Sequence, residues 1–223
     1  TLLDTLDDIG DSVNRVLMER GFPLHPILRY REFIGEGVVR LIKCALPEPS
    51  RDPVTLQACV AAYQAEYARN WNVKTRPYAG VPDMLNAMVA RGLKLAVLSN
   101  KPDPFTQQCV RELLPSWNFA VVIGASDAFP RKPDPAGALE TARRLAVAPE
   151  ECLYVGDSGV DMQTARAARM FAAGVLWGFR GGEELRREGA QALVREPLKL
   201  ISLLDGCPSL GRPEALDPGR HSQ

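Results

Sequence analysis

Histidine is nearly absent from this sequence, and its cysteines form no pattern. The two histidines, His25 and His221, sit in loop-like contexts, and the five cysteines, Cys44, Cys59, Cys109, Cys152 and Cys207, include no C-x-x-C pair. That spacing offers neither a His/Cys zinc site nor a histidine placed for a catalytic triad. Thiols so scattered read as reduced, mostly buried, small apolar side chains, as in a cytoplasmic protein. Net charge is lacking too, since 27 Lys+Arg balance 27 Asp+Glu. No surplus attracts a polyanion, so nucleic acid is not an expected partner. No run approaches the roughly 20 apolar residues of a membrane span, and no signal peptide is expected for this fold, so no membrane partner is expected either. Repeats and low-complexity tracts are also missing. What is present is a chain of 223 residues, room for one α/β domain of about 150 residues and a smaller second one.

Two zones differ in pattern. From about Asp7 to Trp71 the spacing is helical throughout. Asp7, Ile9, Val13, Val16 and Leu17 define a first helix that stops near Gly21-Phe22-Pro23. Residues 31–46 form a second, interrupted by Gly35 and Gly37, and residues 55–71 a third. From Val81 onward strands and helices alternate. The pattern predicts strands over 94–98, 120–124, 153–155 and 174–177, and helices over 82–91, 104–114, 135–145, 160–168, 182–188 and 196–204. Such alternation means an α/β fold with a doubly wound parallel sheet and helices on both faces. Residues 205–223, rich in Pro, Gly and polar side chains, read as a loose tail. Asp103-Pro104 and Asp134-Pro135 each offer an N-cap Asp ahead of a Pro at the first helical position, and Val81-Pro82 supplies the same Pro.

Three features carry chemistry. Tyr154-Val155-Gly156-Asp157-Ser158-Gly159-Val160-Asp161 delivers one carboxylate at the end of a strand and a second four positions later. In open α/β sheets, ligands bind at that carboxyl edge. Two carboxylates facing one cavity suit a hard cation such as Mg2+, which takes one or two carboxylates with waters and substrate phosphate. The alternative is a strand-end Asp that caps the following helix. Ser99-Asn100 follows the apolar run Leu95-Ala96-Val97-Leu98, where a hydroxyl and neighbouring N–H groups can hold a phosphate oxygen; a plain turn is the competing reading. Lys132 lies between prolines in Phe129-Pro130-Arg131-Lys132-Pro133-Asp134-Pro135, where ring constraints fix the backbone around a charged side chain.

A strand-end Ser, a Pro-flanked Lys and a Gly-Asp with a second Asp, in that order, resemble the haloacid dehalogenase superfamily of aspartyl-phosphate phosphohydrolases. Ser99 matches its second motif, Lys132 its third, and Asp157 with Asp161 its fourth. The resemblance runs from Thr1 to about Leu204 and implies a Rossmann-like core, residues 1–6 and 76–204, carrying a small helical cap, residues 7–75. Asp4-Thr5 and Tyr78-Ala79-Gly80 would be the hinge strands between them. Within the superfamily, Thr1-Leu2-Leu3-Asp4-Thr5-Leu6, Ser99-Asn100-Lys101-Pro102 and Gly156-Asp157-Ser158 are most similar to phosphoglycolate phosphatases. The first motif, D-x-D-G-T, is met here only from its Thr onward. By resemblance, the nucleophilic and acid/base aspartates and the first strand of the sheet belong ahead of Thr1, and the chain reads as truncated at its front.

The resemblance implies a Mg2+-dependent phosphomonoester hydrolase working through an aspartyl-phosphate, with a small phosphorylated metabolite, 2-phosphoglycolate, as substrate. It assigns Mg2+ to Asp157 and Asp161, catalytic and phosphate-binding roles to Ser99 and Lys132, and a phosphate contact to the Asn100 N–H. Gly35 and Gly37 would let the cap backbone approach the substrate carboxylate, with Arg31 or Arg40 as counter-charge. Other small-phosphate phosphatases and a β-phosphoglucomutase-like phosphomutase remain alternatives. So does a non-catalytic phosphate- or metal-binding module without a nucleophile. The sequence is silent on oligomeric state.

Overall fold

Leu6, Ile9, Val13, Val16 and Leu17 recur at helical spacing, and all five are buried, which is why Leu6–Glu19 winds into the first helix, α1. A computed structural model describes residues 1–35 and 37–206. Glu36 and residues 207–223 lie outside the described residues, and with them Cys207, His221 and nearly all of the stretch read as a tail. Asp205 and Gly206 of that stretch belong instead to the last helix.

The helical zone continues with α2 (Tyr30–Phe33), α3 (Val38–Ala45) and α4 (Pro53–Asn70). The single interrupted helix expected over 31–46 is two separate ones, because Gly35 at φ 130° and Gly37 at φ 92° take left-handed backbone between them. Helix α4 starts with the Asp-Pro device, at Asp52-Pro53: the Asp52 carboxylate accepts from Val54 N at 3.1 Å and Thr55 N at 3.0 Å. One cluster closes this region, with Leu17, Tyr30, Ile42 and Leu46 sealed at its centre. His25 is tied into the same packing, its N–H donating to Asn14 Oδ1 at 3.0 Å and its Nε2 lying 2.8 Å from Ala45 O.

A short antiparallel ladder joins the helical zone to the rest: β1 (Leu3–Asp4) against β2 (Arg76–Pro77). It lies one to three residues before the expected hinge strands. Thr5 is already the cap of α1, and Gly80, at φ 81°, caps α5 (Val81–Ala90). Next come β3 (Leu95–Pro102), α6 (Asp103–Leu113), β4 (Phe119–Ala125), α7 (Ala136–Leu145) and β5 (Leu153–Gly156). They are followed by α8 (Gly159–Ala167), β6 (Phe171–Val175), α9 (Gly182–Arg187), β7 (Ala192–Val194) and α10 (Lys199–Gly206). The expected alternation is present, with four corrections. Strand β6 sits about three residues early, since Ala172-Ala173-Gly174-Val175 is the fully buried run. Strand β7 is too short to show alternation in sequence. Asp103 does not cap α6; it is the helix's first residue, and its carboxylate accepts from Gly124 N at 2.7 Å across the sheet edge. Asp134 keeps its capping bond, to Ala136 N at 2.8 Å, but Pro135 occupies the cap position.

All pairings in this region are parallel, in the orders β3-β4 and β5-β6-β7. The two ladders do not join. A cavity of about 630 Å³ separates β3 from β5, lined by Ala96, Val97 and Leu98 on one side and Leu153, Tyr154 and Val155 on the other. Thr1 and Leu2 also line it. Those six strand residues are half-buried, whereas Ala172, Ala173 and Val175 on β6 are fully buried. The four described cysteines are free thiols, Cys59 and Cys109 buried.

Candidate active site

The carboxyl ends of β3 and β5, the loop before α7 and the turn after β6 converge beside that cavity. Asp157 leaves the end of β5 as a buried carboxylate. One oxygen accepts from Thr1 Oγ1 at 2.5 Å; the other accepts from Phe179 N at 3.0 Å. Burial works to raise the Asp157 pKa, and hydrogen bonds from the Thr1 hydroxyl and the Phe179 N–H oppose it. Gly178 makes the turn after β6 fit, since a Cβ there would lie 2.3 Å from Asp157 Cβ.

Asp161 is the third residue of α8 and equally buried. Its Oδ2 accepts from Ser158 N at 3.1 Å and from Ser158 Oγ at 2.6 Å, and its Oδ1 accepts from Lys132 Nζ at 2.6 Å. The second carboxylate of the motif, and not the strand-end one, is therefore the one that caps the helix. Lys132 also donates to Leu98 O at 3.3 Å. Burial would push its ammonium down, yet the Asp161 charge more than offsets this and holds it above the ordinary lysine range. Tyr154, on the cavity wall, sits beside this pair, and burial raises its phenol.

Ser99 and Asn100 close the ring. Ser99 Oγ accepts from Lys101 N at 3.1 Å, making a tight turn within β3, where its register shifts between Leu98 and Pro102. The Asn100 side chain brackets the Lys132 backbone: Oδ1 accepts from Lys132 N at 2.8 Å and Nδ2 donates to Lys132 O at 3.2 Å. Ser99, Asn100, Lys132, Asp157 and Asp161 are thus gathered at one sheet edge. Gly35 and Gly37 lie on the helical side, and arginines of the α/β region approach both. Arg180 donates to Arg31 O and, at 2.7 Å, to Ile34 O, while a Cβ on Gly37 would lie 2.6 Å from Arg131 Nη1. The arginines that meet this loop are Arg131 and Arg180; Arg31 contributes a carbonyl.

Several participants were not singled out from sequence: the Phe179 N–H, Gly178, the Asn100 side chain, Arg131 and Arg180. The run Trp177-Gly178-Phe179-Arg180-Gly181-Gly182 carried a clue, a glycine-rich turn directly after a strand. Among the described residues no group of three or more His, Cys, Asp or Glu side chains could hold a metal. The site's own acids are the pair Asp157 and Asp161.

Fold and site together define an α/β protein with two buried carboxylates, a buried lysine and a hydroxyl-bearing turn at the carboxyl edge of parallel strands. Residues 1–175 match the haloacid dehalogenase-like hydrolase family, and the chain belongs to it. It is 35% identical over 212 residues to a phosphoglycolate phosphatase of Nitrosospira multiformis, covering 90% of this chain and 91% of that protein. A phosphoglycolate phosphatase of Xylella fastidiosa is 34% identical, with 94% of this chain and 90% of that protein covered. A crystal structure from Lactobacillus delbrueckii subsp. bulgaricus, of a protein assigned as a phosphoglycolate phosphatase, superposes with a TM-score of 0.85 at 29% identity, covering 91% of this chain and 93% of that one.

Proposed function

We propose that the protein is a Mg2+-dependent phosphomonoester hydrolase that works through an aspartyl-phosphate and converts 2-phosphoglycolate to glycolate and phosphate. The observation that carries this reading is the Lys132–Asp161 pair, locked through Asn100 to the Ser99 turn beside the buried Asp157. Ser99 Oγ and the Asn100 N–H hold a non-bridging phosphate oxygen. Lys132 offsets negative charge on the transferring phosphoryl group, the electrostatic work that dominates such reactions. The site's donors fit Mg2+: both acids are oxygen ligands and both are buried. Asp157 and Asp161 would hold the ion; both carboxylates also accept hydrogen bonds, Asp157 from Thr1 and Phe179 and Asp161 from Lys132 and Ser158. When bound, the ion would offset the repulsion between carboxylate and phosphate.

Residues 7–75 serve as the cap, joined to the core (residues 1–6 and 76–204) through β1 and β2, with Gly35 and Gly37 on its substrate-facing loop. The cavity between β3 and β5 supports a further strand carrying the attacking and proton-transferring aspartates, for which residues 1–223 offer no motif match. The expected partner is a small phosphorylated metabolite, in the cytoplasm, with no role for nucleic acid or membrane; no described helix is long and apolar enough to cross a bilayer.

The test is phosphate release by the protein expressed from its full open reading frame, with 2-phosphoglycolate and Mg2+, against the same reaction in EDTA. Magnesium-dependent release is expected. Release from other esters but not from this one overturns the substrate. Isomerisation of a sugar phosphate without release makes the protein a mutase, and binding without turnover makes it a non-catalytic module.

A further inference from the structure

Lys101 is a cation that the reaction described above does not use. It follows Ser99-Asn100 at the end of β3, and its backbone N–H makes the Ser99 turn. Its side chain reaches into the helical region, where Nζ donates to Tyr67 Oη at 2.9 Å. The same Nζ lies 4.9 Å from the centre of the Tyr67 ring and 5.1 Å from that of Phe105. Further aromatics hold this cage rigid: Tyr63 stacks on Tyr67, and Trp71 meets Phe105 edge-on. Every one of these contacts is neutral. Among the described residues Lys101 has no carboxylate partner, in contrast to Lys132, whose ammonium lies 2.6 Å from Asp161. Ring faces attract an ammonium, but less than its lost hydration costs, and burial accordingly pushes the Lys101 pKa down. A half-buried cation held by neutral groups two residues beyond Ser99, at the junction of the two regions, is matched by an anion that arrives with the substrate. Arg180 is a poorer candidate, since its guanidinium is already spent on the Arg31 and Ile34 carbonyls and on Glu184.

We propose that Lys101 binds the second anionic group of the substrate, the carboxylate of a short phosphorylated acid, while Ser99 and Lys132 hold its phosphate. This rests on the phosphomonoesterase reading and adds a basis for its selectivity. The carboxylate site would then draw on both regions, Lys101 from the α/β region and the Tyr67 hydroxyl from α4, which already meet at 2.9 Å.

The test compares two esters of similar size, 2-phosphoglycolate and ethyl phosphate, on the full-length protein and its Lys101→Met and Lys101→Arg variants. Lys101→Met is expected to raise KM for 2-phosphoglycolate by about 10-fold or more, the range of a charge-assisted hydrogen bond. It should leave kcat/KM for ethyl phosphate within about twofold, and Lys101→Arg should restore most of the loss. An equal fall for both esters makes Lys101 a prop for the fold, and no change removes it from binding; either result overturns the proposal. If the unsubstituted protein hydrolyses neither ester, the phosphatase reading has failed, and calorimetric titration with the same two compounds still decides Lys101. A preference for 2-phosphoglycolate that Lys101→Met abolishes upholds the carboxylate site, and an unaltered preference rejects it. Should Lys101→Met not fold by circular dichroism, Lys101→Gln is read the same way.

Discussion

Tyr30, Leu17 and Ile42 in the helical region are sealed on every side, whereas Val97 and Val155 in the α/β region face a cavity of about 630 Å³. A helix satisfies its backbone internally, so α1, α3 and α4 needed only complementary apolar stripes to close a core. A strand takes its backbone partners from other segments, and among the described residues β3 and β5 are not paired with each other across the cavity. The helical region packs its apolar faces inward, while the polar groups of the site line the seam at the carboxyl ends of the parallel strands.

The sharpest way to test that contrast is at the seam. Lys132→Ala and Asp157→Asn, in the full-length protein, are expected to lower turnover by at least ~10²-fold while leaving the helical core intact. Steady-state rates near normal for either variant would remove that residue from the mechanism. Next in size is a pair of core truncations read by urea unfolding. Leu17→Ala should cost about 3 kcal/mol, as for a sealed leucine. Val97→Ala, at a half-buried position of β3, should cost about 1 kcal/mol. Equal losses would break the comparison.

A smaller effect is expected where the two regions touch. Arg180→Ala removes the bonds to Arg31 O and Ile34 O. It should raise KM severalfold with little change in kcat or in unfolding midpoint; an unaltered KM would show that this contact does not help to hold the substrate. Smallest of all is a surface effect at α7. Hydrogen bonds from Arg143 and Arg144 lower the Glu140 pKa to about 2 from 4.5. A depressed carboxyl stabilises the fold above its unfolded pKa, so this contribution is present above pH 4.5 and is lost as pH falls toward about 2. Glu140→Gln should flatten the stability profile slightly in that window, and identical acid limbs would discount the pairing.

Much of this architecture was legible before the structure. Leu95-Ala96-Val97-Leu98 and Leu153-Tyr154-Val155 announce strands because the runs are apolar and short, and the glycines at 35 and 37 announce a helix break. Strand β6 was displaced in the reading because Ala172-Ala173-Gly174 lacks the β-branched bulk by which a strand is recognised. Asp103 resembled a cap because Pro104 follows it, but a tertiary acceptor role at Gly124 N won over the local one. Within the site, residue types and order were readable, and partners were not. Which of the two acids caps α8, and that the Phe179 N–H would meet an Asp157 carboxylate 22 positions away, are set by packing between elements.

The Asn100 amide grips the Lys132 backbone at both its N–H and its carbonyl, across 32 positions of sequence. A clamp of that kind fixes the spacing of two loops independently of whatever chain connects them. Helix α6 and strand β4 lie between, so a residue gained or lost in the outer turns of that connection can be absorbed without moving Ser99 relative to Lys132. Replacing Asn100 by Asp would keep the acceptor and forfeit the donor, leaving the register of the two loops to the length of the intervening chain. One side chain thereby makes this part of the fold tolerant of evolutionary drift in its surroundings.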